Sequence, residues 1–166
     1  ALAEVRFKDE MVGVFGDHCV VRAYSPLRTV AGGLLLSPLP PDLRRKDPQL
    51  QDKLALLQKL PTLDQEMETA PTGKAGSKVR DEARAGLIDA VLTLRGAEGA
   101  DEARLRVLTG FPRAALEAGL QLLSARGSAL CWDKEGRLWI GKQPFEALLQ
   151  ACLARGEELH QKDPLK

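Results

Sequence analysis

A change of hydrophobic pattern at three prolines, Pro38, Pro40 and Pro41, most constrains how this chain can fold. Before them, short apolar runs alternate with polar residues, as is typical of β-strands. After them, apolar residues recur every three or four positions, as on one face of an α-helix. At 166 residues the chain is long enough for two small domains. The pattern therefore predicts an α+β protein in which a β piece precedes a helical piece.

The β piece is predicted to hold three strands within residues 2–36, with turns at Gly16–Asp17 and Ser25–Pro26. A glycine pair, Gly32 and Gly33, lies inside the third strand. Such glycines mark a bulge or a close approach of another backbone. We interpret the pair as a sharp barrel corner or as a surface for a ligand backbone, with Arg22 and Arg28 on nearby loops as phosphate partners. Because three strands leave two bare edges, we expect pairing with another copy or with a barrel remainder outside this chain.

The helical piece is predicted to begin at Asp47–Pro48, since an oxygen cap precedes a residue with a pre-set φ angle. Pro61 is predicted to end this first helix, and Thr62 to begin a second short one. Residues 70–77 have the composition of a linker. We place the domain boundary there.

A helix-turn-helix pattern follows from Asp81. One helix is predicted up to Gly96, a second is capped by Asp101, and a tight corner over 109–112 leads into a third. Residues 129–140 then predict a β-hairpin around 133–136, with Trp132 and Trp139 completing the core. Three helices and a hairpin indicate a winged helix.

A last helix is predicted from Pro144 to Asp163–Pro164. Its apolar residues recur at helical spacing, so we expect them to be buried. They are Leu148, Leu149, Cys152 and Leu153.

The chain shows no pattern of a catalytic or cofactor site. The spacing GxxxxGK[ST] of a phosphate-binding loop is absent, because Glu68 stands where the first glycine should be and Ala75 replaces the final Ser or Thr. The three cysteines include no CxxC pair. The candidate nucleophiles Cys131 and Cys152 lie apart in sequence from a basic partner such as His160, so we interpret these cysteines as core residues, although folding could bring the groups together. We expect no metal, no cofactor and no enzyme activity in this piece.

Composition limits the partners and the compartment. Lys and Arg number 24 against 23 Asp and Glu, so whole-chain charge predicts no strong non-specific affinity for nucleic acid. No apolar run approaches the roughly 20 residues of a spanning helix. The first ten residues lack the features of a signal peptide. We expect a cytoplasmic protein that does not contact a membrane.

The third helix of the helix-turn-helix raises a DNA-binding hypothesis. Its polar residues Arg113, Glu117, Gln121 and Arg126 form a thin and partly acidic surface. This composition favours a spacer or protein-packing module. A winged-helix DNA-binding transcriptional regulator with a β dimerisation segment stays open as the alternative.

Several short segments of the chain match a known pattern. They are Glu4–Phe7, Gly16–Asp17, Val20–Arg22, Ser25–Pro26, Arg28–Val30, Gly32–Gly33 and Ser37–Pro38 in the β piece, with Thr109–Phe111, Leu116 and His160–Leu165 in the helical piece. The β piece resembles the end of the third domain, a β-barrel, of translational GTPases that deliver aminoacyl-tRNA. The resemblance is strongest to the selenocysteine-specific elongation factors. Ala31 departs from it where that family usually shows a third glycine, and Pro112 where a small polar cap is common.

The resemblance over residues 4–47 and 81–166, together with the helical pattern of 48–80, gives three segments. Residues 1–47 would be the C-terminal part of an elongation-factor-type partial antiparallel β-barrel, and 48–80 a helical connector. Residues 81–166 would be a winged-helix domain, with a second module starting near 160–166.

The resemblance also implies a role for the intact protein. It would bind GTP and Mg through a separate N-terminal domain, deliver selenocysteyl-tRNA to the ribosome, and bind an mRNA hairpin through further winged modules. This piece would be a tRNA-side barrel and spacer arm. The tRNA-side residues would be Arg22, Tyr24, Ser25 and Arg28, which flank the Ser-Pro turn.

Overall fold

The computed structural model of this chain describes residues 2–39, 43, 46–133 and 135–162. Its architecture is α+β, as the sequence predicts, with two small antiparallel sheets and five α-helices in the described part. The elements in chain order are β1 (His18–Ala23), β2 (Arg28–Leu34), α1 (Leu50–Thr69), α2 (Lys74–Arg95), a 3-10 turn (Gly96–Glu98), β3 (Ala100–Asp101), α3 (Glu102–Thr109), α4 (Arg113–Ala125), β4 (Ala129–Asp133), β5 (Leu138–Gly141) and α5 (Lys142–Lys162).

The β piece has two strands in the described residues, so the prediction of three is wrong. β1 and β2 form an antiparallel hairpin, and residues 2–14 form no strand. Val5 and Phe7, the apolar residues of the missing strand, are 58% and 61% exposed. These residues alternate with polar ones as in a strand, but no strand among the described residues pairs with them. The described strands also form no closed barrel.

The glycine pair lies inside β2 but does not form the irregularity of the hairpin. Gly32 pairs with Val20 and Gly33 with Cys19, whereas the register shift lies between Val21 and Arg22. A Cβ on Gly32 would lie 3.6 Å from the carbonyl oxygen of Cys19, an ordinary contact. The described residues therefore do not require glycine at this position. A role in the approach of a ligand stays a prediction.

Helix α1 continues through Pro61, so the prediction of a break there is wrong. Leu57 and Leu60 before the proline and Leu63 after it are all buried, and α1 packs along α2. An interior proline costs about 3 kcal/mol, whereas burying one leucine contributes about 2 kcal/mol. Burial on both sides of Pro61 therefore keeps the helix continuous.

Helix α2 begins at Lys74, so the linker predicted over 70–77 is shorter than expected. Leu60 of α1 lies in the same hydrophobic cluster as Leu87, Ile88 and Leu92 of α2, all of which are buried. The core is thus continuous across the predicted boundary. The assignment of the two sides to separate domains stays a prediction.

The order of three helices and a hairpin is confirmed between α2 and β5. The side chain of Asp101 accepts a hydrogen bond from the backbone N–H of Arg104 at 2.7 Å and caps α3. Gly110 ends α3 in the left-handed conformation, at φ 70°. Strand β5 pairs with both β3 and β4. This three-stranded sheet covers one side of the hydrophobic cluster that α2, α3 and α4 form.

Two expectations about burial are wrong. Trp139 is half-buried against the core, but Trp132 is 60% exposed. On α5, Leu148, Leu149, Cys152 and Leu153 are exposed. Helix α5 has its main contacts with β5, which directly precedes it, and with the 3-10 turn of Gly96–Glu98. The later turns of α5 therefore extend away from the core. The predicted end at Asp163–Pro164 lies outside the described residues.

Candidate nucleic-acid interface

The residues predicted to face a nucleic acid lie together at the closed end of the β1–β2 hairpin. Arg22 pairs with Thr29, and Arg28 pairs with Ala23. Tyr24 and Ser25 begin the turn of residues 24–27. Arg22 and Arg28 are therefore strand residues, which corrects their predicted place on loops. The hairpin does bring all four residues to one tip.

Strand register decides which way the two arginines face. Directly paired residues share a face of an antiparallel ribbon, and successive residues alternate between faces. Arg22 therefore shares one face with Thr29, while Arg28 lies on the other with Ala23. A ligand that contacts both arginines must bind around the tip of the hairpin rather than along one face.

The tip is open to solvent. Tyr24 is 98% exposed, and Arg22, Ser25 and Arg28 are exposed too. No carboxylate of the described residues forms an ion pair with either guanidinium. Guanidinium groups bind phosphates, and an exposed tyrosine ring can stack on a base. The tip therefore has the chemistry to contact a nucleic-acid backbone.

The rest of the hairpin is apolar and uncovered. Both faces of β1 and β2 are exposed within the described residues, including Val20, Val21 and Val30. Leu27 in the turn is 75% exposed. A two-stranded hairpin is marginally stable alone in water. Its faces are therefore suited to packing against further protein.

The predicted recognition helix, α4, carries cations that are already paired. Arg113 Nε lies 2.9 Å from Glu117 Oε1. Arg137, from the turn between β4 and β5, contacts Glu102 at 2.8 Å and Glu117 at 3.8 Å. These ion pairs thus link the β4–β5 hairpin to α3 and α4. Sequence reasoning missed Arg137 and Glu102, because only the fold brings these distant residues together.

A second ion pair joins α2 to the end of α4. Arg126 contacts both carboxylate oxygens of Glu82, one of them at 2.7 Å. This hydrogen bonding holds the pKa of the Glu82 carboxyl below its ordinary value of 4.5. Arg113 likewise lowers the pKa of Glu117 by its hydrogen bond. Both carboxylates are therefore stabilised in the charged form by the folded state.

Glu82→Gln is expected to lower the stability of the protein more at pH 7 than at pH 3. A carboxyl whose pKa is lowered on folding stabilises the protein above its unfolded pKa of about 4.5, and this contribution is lost progressively as the pH falls from there through the lower folded pKa. Urea unfolding at both pH values would measure it. Glu146→Gln is the matched control, because Lys142 lies 3.9 Å away in that pair. An equal loss at pH 7 and pH 3 would contradict the expectation.

Two remaining features of the described residues concern metal ions and membranes. In residues 2–39, 43, 46–133 and 135–162, no three His, Cys, Asp or Glu side chains are grouped so as to hold a metal ion. None of the helices in these ranges has both the length and the apolar character to cross a membrane.

Comparison with known proteins gives one informative match. No protein-family profile and no solved structure matches the chain. The chain is 32% identical, over 166 residues, to the selenocysteine-specific elongation factor of Desulfomicrobium baculatum. It is similar to part of an elongation factor. The match covers 100% of this chain and 23% of that elongation factor, so the chain spans about a quarter of its length.

Proposed function

We propose that this chain is part of a selenocysteine-specific translation elongation factor that acts in the cytoplasm. The supporting observation is the 32% identity to such a factor, which extends over the whole chain. The intact protein would deliver selenocysteyl-tRNA to the ribosome in a GTP-dependent way. This piece would contribute geometry rather than chemistry, as a tRNA-side surface joined to a spacer arm.

The β1–β2 hairpin would be the tRNA-side part, within a β-barrel completed by further protein. Its uncovered valine faces support a barrel wall, because such faces need a packing partner. The exposed Arg22, Tyr24, Ser25 and Arg28 support a contact with the tRNA backbone at the tip. Pairing of the open strand edge between two copies stays a prediction.

The helical part would be a winged-helix module at the base of the arm. The order of α2, α3 and α4, followed by the β4–β5 hairpin, supports this fold. The packing of α1 on α2 supports a stiff connection to the barrel side. The mRNA hairpin would bind to further winged modules, and α5 leads toward the first of these.

GTP and Mg do not fit the residues of this chain. A phosphate-binding loop connects a strand to a helix. Here the stretch from Glu68 to Ala75 connects the end of α1 to the start of α2, and it lacks the first glycine and the final Ser or Thr. Nucleotide binding would belong to another part of the intact factor, so no step of its chemistry involves these residues.

The alternative, a DNA-binding regulator, has less support. A recognition helix needs cations free to contact phosphates and bases. On α4, Arg113 is paired with Glu117, which also lies near Arg137. Arg126 is paired with Glu82. DNA binding through the arginines of α4 would require these ion pairs to break.

Replacing Arg22 and Arg28 with Gln in the full-length factor is expected to weaken binding of charged tRNA by roughly tenfold at about 100 mM salt, because two phosphate contacts are lost. Fluorescence titration with labelled selenocysteyl-tRNA would measure it. The control is Arg113→Gln together with Arg137→Gln, which removes the same charge from α4 and from the turn between β4 and β5. Unchanged affinity after loss of both hairpin arginines would contradict the tRNA-side role. DNA binding that depends on Arg113 would instead favour the regulator.

A further inference from the structure

An open groove of about 510 Å³ lies between the first half of α2 and the middle of α4. On the α4 side the groove is lined by Ala118 and Gly119, whose small or absent side chains leave it open. Its walls are charged. The charged residues are Lys74, Lys78, Asp81, Glu82, Arg84 and Arg126.

The groove carries an excess of positive charge. Four cations face two carboxylates, so the net charge of the six lining residues is +2. Glu82 is paired with Arg126, and Asp81 with Arg84 at 2.8 Å. Lys74 and Lys78 are exposed and form no ion pair with the described carboxylates. The two lysines therefore supply the excess charge.

The two lysines lie close to one another at the start of α2. They are one turn apart, and like charges at this spacing repel by a few tenths of a kcal/mol. The first turn contains no acidic residue, although acids are favoured there. Glu82 lies one turn after Lys78, and the attraction between these two charges offsets part of the repulsion. Helix stability therefore leaves Lys74 unexplained, and a bound anion would relieve the repulsion between the two lysines.

Arg84 is a third cation at the groove. Its guanidinium lies 2.8 Å from Asp81 and 5.9 Å from the ring centroid of Phe111. Gly119 makes room for Ile88, because a Cβ at this position would lie 2.4 Å from Ile88 Cδ1, whereas the 3.5 Å to Arg84 Cγ would be an ordinary contact. The Arg84 Nε atom is buried and has no hydrogen-bond partner among the described residues. Arg84 is therefore fixed at the groove rather than free in solvent.

We propose that this groove binds the phosphate backbone of single-stranded RNA, with Lys74 and Lys78 as the direct contacts. Arg84 and Arg126, paired with Asp81 and Glu82, shape its walls without adding net charge. The choice of RNA over an acidic peptide rests on the proposed function, because a factor that works on the ribosome is surrounded by RNA. The groove lies on the opposite side of α4 from the Arg113–Glu117–Arg137 network, and it is separate from the hairpin tip.

The test uses the 166-residue chain and a fluorescein-labelled oligouridylate of about 20 nucleotides, with anisotropy recorded between about 50 and 200 mM KCl. Lys74→Gln with Lys78→Gln is expected to weaken binding on the order of tenfold at about 100 mM salt. The slope of log affinity against log salt should fall in magnitude by about 1.4, or about 0.7 for each phosphate contact. Circular dichroism should show an unchanged fold, because both lysines are exposed.

Arg104→Gln with Arg106→Gln is the matched control, since it also removes from a helix two exposed cations that form no ion pair with the described carboxylates. It should change the affinity less than twofold. Equal loss in the control, or no RNA binding by the parent chain, would overturn the proposal. Polyglutamate competing as well as RNA would overturn it in favour of an acidic protein partner. Displacement by inorganic phosphate beyond its ionic-strength effect would reduce the groove to a simple anion site. None of these results bears on Arg22 and Arg28, so the tRNA-side proposal is tested separately.

Discussion

Gly99→Ala is expected to destabilise the protein by about 4 kcal/mol, whereas Gly96→Ala should cost about 2 kcal/mol. Both glycines have φ of +62°, so the backbone strain of an alanine is the same at both positions. They differ in the space around them. A Cβ at Gly99 would lie 2.3 Å from the carbonyl oxygen of Trp139, but a Cβ at Gly96 would meet nothing within 4 Å.

The clash at Gly99 cannot be relieved by a side-chain rotation, because the neighbouring atom belongs to the backbone. Either β3 must move away from β5, where Ala100 pairs with Trp139, or the turn before it must change. Urea unfolding of both variants would measure the difference, and tryptophan fluorescence should shift as Trp139 becomes more exposed. Equal losses in the two variants would show that β3 does not approach β5 this closely.

The parts of the fold that the sequence predicts well depend on local chemistry. Asp101 caps α3 because its side chain needs only the backbone N–H three residues later. Gly110 ends the same helix because glycine readily adopts positive φ. Both contacts lie within a few residues, so a reading of the chain finds them. The three helices and the hairpin follow from such local patterns.

The incorrect predictions concern features that tertiary packing decides. Pro61 ends an isolated helix, but here burial of Leu60 and Leu63 on α2 keeps α1 continuous. The spacing of Leu148 and Leu153 indicates a helix face, but it does not tell whether anything covers that face. Hydrophobic periodicity predicts an element and its apolar side, and the presence of a partner is a separate question.

The candidate sites follow the same division. The hairpin tip could be predicted because Ser25–Pro26 marks a turn and Arg22 and Arg28 flank it. The faces of the two arginines could not, since they depend on a register in which the pairing passes over Val30. The groove was missed because Lys74 fell within the predicted linker and Lys78 directly after it. A lysine pair at helical spacing becomes visible as one surface only when α2 is known to begin at Lys74.

Leu60→Ala is expected to reduce the free energy of unfolding by about 3 kcal/mol, because it leaves a cavity in the core. Leu60 is 1% exposed and lies in one cluster with buried residues of α2. Leu153→Ala, the same change on α5, should cost less than about 1 kcal/mol, since Leu153 is 54% exposed. Urea unfolding of the two variants beside the parent would measure both values.

The shape of the Leu60→Ala transition bears on the proposed spacer. If α1 and the helices after it unfold as one unit, then circular dichroism and tryptophan fluorescence should shift to the same lower midpoint, although Trp132 and Trp139 lie far along the chain from Leu60. If residues 70–77 separate two independent units, circular dichroism should show an early step while the fluorescence midpoint stays unchanged. A stiff arm requires the first outcome, because a connector that unfolds by itself cannot hold a fixed distance between a tRNA-side surface and an mRNA-side module.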